Sequence, residues 1–121
     1  MRLFIAPALV AFALAGCATT HALPTDATSA AIRSAEEIGA ERVPEAALHL
    51  QLAKEEVAAA EELNAAGNAD EANSWLLRAE ADAELAVALS RADADKAEAL
   101  AAIERVRKLR AENPYSPGVK K

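Results

Sequence analysis

From Pro44 onward the apolar positions recur at steps of three and four, the spacing of one face of an α-helix rather than the alternation of a strand. Ala46, Leu50, Ala53, Val57 and Ala60 form one such row, and Ala72, Leu76, Ala79, Ala83 and Ala86 form a second. Between the rows, Gly67 suits the left-handed residue that ends a helix and Asn68 suits the cap of the next. Glu71 falls at the third helical position, completing an Asn-x-x-Glu capping box. So short a connection predicts two antiparallel helices, about 44–66 and from 69 to 109 or 112, that bury the two rows against each other. No proline or glycine interrupts the later helix before Asn113-Pro114. It should extend for about 60 Å against about 35 Å for its partner, and so overhang it.

Upstream, a shorter helix should start at Thr25 or Asp26. Its small-residue face is Ala27, Ala30 or Ala31, Ser34 or Ala35, and Ile38. Gly39 weakens it, and Val43-Pro44 closes the connection, because proline restricts the residue before it and fits the first turn of a new helix. Three or four turns are marginal alone, so this helix must pack on the hairpin. Leu48, Leu52, Ala59 and Leu63 widen the apolar side of the second helix, as a middle helix touching both neighbours would need. The expected fold is all-α: a short N-terminal helix packed on an antiparallel helical hairpin with a long overhanging third helix.

Composition changes the picture in one respect. Hydrophobic residues make up 53% of the chain but aromatics only 3%, and alanine fills the facing rows, so each contact buries little area and the core should be thin.

Residues 1–16 stand apart from the fold. Met1-Arg2 provides a positive start and an apolar run follows to Ala15, the order and length of a signal peptide and too short for an ordinary spanning helix. The run closes on Leu14-Ala15-Gly16-Cys17, which resembles a bacterial lipobox at all four positions. That resemblance implies cleavage before Cys17 and lipid on its sulfur and amino group, a membrane attachment through Cys17. Ala18 is not the aspartate that resembles the inner-membrane retention signal of enterobacterial lipoproteins, which implies the periplasmic face of the outer membrane. Cys17 is the only cysteine, so no intramolecular disulfide can form. The expected organisation is a signal peptide at 1–16, a lipidated tether at 17–25, a three-helix domain at 26–112 and a basic flexible tail at 113–121.

Charge divides the mature chain. Residues 17–104 hold six Lys/Arg against eighteen Asp/Glu, whereas residues 105–121 hold six Lys/Arg and one acid. An acidic body argues against nucleic acid as a partner. Arg105, Arg107, Lys108 and Arg110 crowd the end of the third helix, where cations complement the helix dipole, or form a patch for an anionic partner. Leu100, Ile103, Val106 and Leu109 lie beyond the reach of the second helix and read as a contact surface for self-association or for an envelope protein. In the tail, Lys120 and Lys121 are candidates for peptidoglycan contact. Lys121 resembles the terminal lysine through which the major outer-membrane lipoprotein of enteric bacteria joins the wall.

Candidate chemistry is sparse. His21 and His49 lack metal-ligand spacing, and Asp93 and Asp95 are two apart on a helix and face different ways. Ser74 and Ser90 have no base in view, and no glycine-rich loop cradles phosphate. Neither catalysis nor a cofactor or metal is expected.

Taken together, Ala27, Ala31 and Ala35, then Pro44-Glu45 with the row from Leu50 to Ala60, Gly67, and the row from Ala72 to Ala86 resemble domain-of-unknown-function family 4398. That family is found in small alanine-rich lipoproteins of Gram-negative bacteria. The resemblance implies a compartment and a shape. It lends no activity, and the aromatic often following the turn glycine is replaced by Asn68. The expected role is a non-enzymatic cell-envelope lipoprotein serving as spacer, scaffold or accessory subunit. The alternatives are a soluble periplasmic binding module or chaperone for basic clients, and a wall-linked structural lipoprotein through Lys121.

Overall fold

The structure, a computed structural model, describes residues 23–113. Helix α1 (Asp26–Glu37) is followed by a 3-10 turn (Ala40–Arg42), helix α2 (Pro44–Ala65) and helix α3 (Ala69–Glu112). The expected signal peptide, the lipobox Leu14-Ala15-Gly16-Cys17, His21 and the tail lysines Lys120 and Lys121 lie outside the described residues.

The α2–α3 hairpin forms on the rows that the periodicity marks. Ala46, Leu50, Ala53 and Ala60 of α2 are buried against Ala72, Leu76, Ala79, Ala83 and Ala86 of α3, and Val57 is half-buried. One apolar cluster near the reversal joins Ala60, Ala72 and Leu76 with Val57, Leu63 and Trp75. A second, at the far end of α2, joins Leu50, Ala86 and Val87 with Ala35 of α1 and Ala40 of the 3-10 turn. Alanines bridge the space between, where Ala53, Ala79 and Ala83 are completely buried.

The reversal at Gly67 (φ 85°) is built differently from the expected capping box. The Gly67 amide donates to Asn64 O and the Asn68 amide to Leu63 O, the paired bonds that close a helix on a left-handed glycine. A capping box needs the Asn68 amide free for Glu71, but the end of α2 has already taken it. The other half of the box is missing too, since the Asn68 side chain makes no cap (φ −94°, ψ 59°), and only its carbonyl starts α3 by accepting from Ala72. Gly39 (φ 81°) ends α1 in the same left-handed conformation.

Two further expectations are corrected. The inward row of α1 is Thr28, Ala31 or Ile32, and Ala35, whereas Ala27 and Ala30 are exposed; the hydroxyl of Thr28 donates to Leu76 O at 3.3 Å. In addition α1 lies chiefly along α3 and touches α2 little, so α3 is the middle helix. Leu48, expected to widen the apolar side of α2, is 57% exposed because no helix lies there.

Packed alanines leave no space for more volume. Ala83→Leu is expected to lower the unfolding free energy by about 1–3 kcal/mol, while Ala101→Leu on the exposed part of α3 changes it by no more than about 0.5 kcal/mol. Urea titration followed by circular dichroism measures both, and equal effects would contradict the close approach of α2 and α3.

Candidate functional site

Beyond Ser90, the last buried position of α3, every residue from 91 to 112 is exposed. These 22 residues make a rod of about 33 Å with no partner among the described residues. Packing of residues 69–90 supplies the nucleus, so each further alanine or arginine adds a hydrogen bond at low conformational cost. Arg107 pairs with Glu104 at 3.5 Å and Lys108 with Glu112 at 3.9 Å, and Arg110 lies in the last turn where the dipole favours it. Leu100, Ile103, Val106 and Leu109, read from the sequence as a contact surface, are 59, 50, 45 and 58% exposed.

A polar cluster on the flank of the α2–α3 contact was not anticipated. His49 Nδ1 lies 2.7 Å from Asp82 Oδ1, and Glu56 Oε1 lies 3.6 Å from Arg78 Nε. The hairpin brings both pairs together: Glu56 and Arg78 stand eleven residues either side of Gly67, whereas His49 and Asp82 stand eighteen and fifteen residues from it, most of a turn off that symmetry. Matching positions about Gly67 is thus a signal in the sequence for Glu56–Arg78 and not for His49–Asp82. Arg78 also lies over the Trp75 ring, 4.9 Å from its centre.

Glu56 is the strained member. It is buried, and no donor among the described residues reaches its Oε2. Burial pushes its carboxyl up from the ordinary 4.5, the Asp82 charge adds to this, and so does a hydrogen bond to Asp82 that only the protonated carboxyl can donate; Arg78 opposes them. Chemically the cluster fastens the two helices together. A His–Asp pair becomes catalytic by activating a nucleophile, and the two serines marked in the sequence face elsewhere. Ser74 donates to Asp70 O at 3.1 Å, and buried Ser90 to Ala86 O at 2.8 Å.

Among the described residues no three His, Cys, Asp or Glu side chains converge as they would to hold a metal ion, and Asp93 and Asp95 are exposed. No helix among them is long and apolar enough to cross a membrane. An open groove of about 430 Å³ lies between α1 and α3, bordered by Ala27, Ala31, Glu84 and Arg91. No family model, curated protein or solved structure matches the chain. The likeness to family 4398 is accordingly one of residue pattern.

Because the folded chain holds the Glu56 proton more tightly than the unfolded chain, this group stabilises most below pH 4.5, and the contribution is lost as pH rises through the raised value. Glu56→Gln keeps the shape without the charge. Its unfolding free energy is expected to match the parent's below the ordinary carboxyl range and to exceed it increasingly toward pH 7. Urea titrations at several pH values measure this, and a difference that does not vary with pH would contradict it.

Proposed function

We propose that this protein is a lipid-anchored lipoprotein on the periplasmic face of the outer membrane that acts by contact, as a spacer, scaffold or accessory subunit, and not as a catalyst. Cys17 is the anchor, and the uncovered half of α3 is the working surface. The observation that carries the reading is the conjunction of Leu14-Ala15-Gly16-Cys17, at the end of an apolar run, with a helical body whose longest element continues about 33 Å past its support.

The physical logic is that of a rod on a foot. One acyl chain holds a protein only reversibly, at about 0.8 kcal/mol per buried methylene, whereas two or three chains make the attachment effectively permanent. Everything beyond the anchor is then free to present a surface to neighbours. The exposed aliphatic side chains of α3, interspersed with charges of both signs, suit a protein partner better than a small molecule. Family 4398, whose residue pattern the chain resembles, occurs in lipoproteins of this kind.

Mass spectrometry of the protein purified from its own cells is expected to find the chain starting at Cys17 with acyl mass on that residue. Cys17→Ser is expected to remove most of the protein from the outer-membrane fraction. A mature chain carrying an unmodified Cys17 thiol would overturn the anchor and favour the soluble periplasmic module.

A further inference from the structure

The outer side of α3, away from α2, carries a seven-residue repeat that runs from the packed half into the free half. Leu85, Ala92, Ala99 and Val106 recur at intervals of seven, all exposed. The positions three residues after each are apolar too, ending at Leu109, with Asp95 the one exception. A three–four alternation kept up over this length is the seam of a coiled coil. Helix α1 does not roof it: Ala81, Leu85 and Ala88 are exposed, and the groove towards α1 that Ala88, Glu84 and Arg91 line is open.

The residues flanking this seam identify its occupant. The position before each of the first set, with the next in the series, reads Glu84, Arg91, Glu98, Arg105, Glu112, an unbroken alternation of sign. In an antiparallel coiled coil this flank meets its own copy. One alignment sets Glu84 against Arg105 and Arg91 against Glu98 of the second molecule, and two-fold symmetry repeats each pair. A shift of one heptad either way sets like charges together. In-register parallel pairing would instead bring Arg91 to Lys96 and Arg105 to Arg110, two repulsive contacts on each side. The favoured alignment also sets Leu85 against Ala102, and Val106 against Ala81, so these two large side chains meet small ones, while Ala88 meets Ala99 nearer the axis. Asp95 falls beside the symmetry axis opposite Ala92, where it weakens the pairing without blocking it.

We infer that the outer seam of α3 is the interface of an antiparallel, two-fold symmetric homodimer whose register is set by Glu84–Arg105 and Arg91–Glu98 pairs between the two copies. This deepens the contact reading of α3 proposed above by naming its partner, and it stands independently of the lipid on Cys17.

Cysteine cross-linking of the full chain in its own cells tests it, with the unaltered chain as the control for Cys17. Residues 88 and 99 are about 16 Å apart along one helix, too far for an internal disulfide, but face each other across the antiparallel seam. Ala88→Cys with Ala99→Cys is expected to give a covalent dimer on mild oxidation, and Ala99→Cys alone is not. Adding Glu98→Arg to the cysteine pair should lower the cross-linked fraction roughly tenfold, since two attractive surface pairs become repulsive, and Arg91→Glu added to that variant should restore it. All four positions are exposed, so the fold is not at stake. No dimer from the cysteine pair, a dimer from Ala99→Cys alone, or a charge reversal without effect would overturn the inference. The mass of the mature N-terminus tests the anchor separately, so either reading can fail without the other.

Discussion

Where α2 and α3 run side by side, alanine meets alanine, and that close approach constrains the rest of the molecule. Methyl side chains let two helix backbones come near the lower end of the usual 8–10 Å separation. They also bury little area, so the contact needs reinforcement at its ends and edges. Leu76 with Trp75 and Leu63 supplies it near the reversal, and Leu50 with Val87 at the far end, where Ala35 of α1 and Ala40 of the 3-10 turn close the cluster. The flank is held by His49–Asp82 and Glu56–Arg78. This fastening has a cost. A closely packed pair of narrow helices draws Glu56 into partial dryness beside another carboxylate, and its Oε2 is left without a donor among the described residues.

Much of this architecture is legible in the amino-acid sequence. Alanine and leucine at three- and four-residue steps mark the faces of α2 and α3, and Gly67 marks the reversal, because each signal is local and has one physical meaning. The inward face of α1 is harder to read. Its twelve residues contain several alanines, and the period alone does not choose between a row through Ala27 and one through Thr28. The hydroxyl of Thr28 chooses, by finding the Leu76 carbonyl when α1 lies along α3. Which neighbour a helix packs on is not a property of its own period, and so α3 rather than α2 is central.

The candidate site divides along the same line. Exposure of Leu100, Ile103, Val106 and Leu109 follows from helix lengths, which sequence gives directly. The polar cluster requires the hairpin register, and its Glu56–Arg78 pair becomes readable only once the turn is fixed at Gly67 and positions on either side are matched. The capping box fails to form for a different reason. Its residues are all present, but one amide serves one acceptor, and in so short a turn the end of α2 and the start of α3 compete for the amide of Asn68.

Ser90 marks a change in kind along a helix whose backbone hydrogen bonds continue without a break. On its N-terminal side, one face of α3 is packed under α2 or α1, so that fraying there would first have to break the hairpin contacts. On its C-terminal side, a protomer standing alone can lose protection turn by turn from Glu112 inward, because no side chain there is covered by another element. A single regular helix thereby holds two levels of local stability, separated by one serine, and in water its two halves behave as distinct thermodynamic units within one continuous rod.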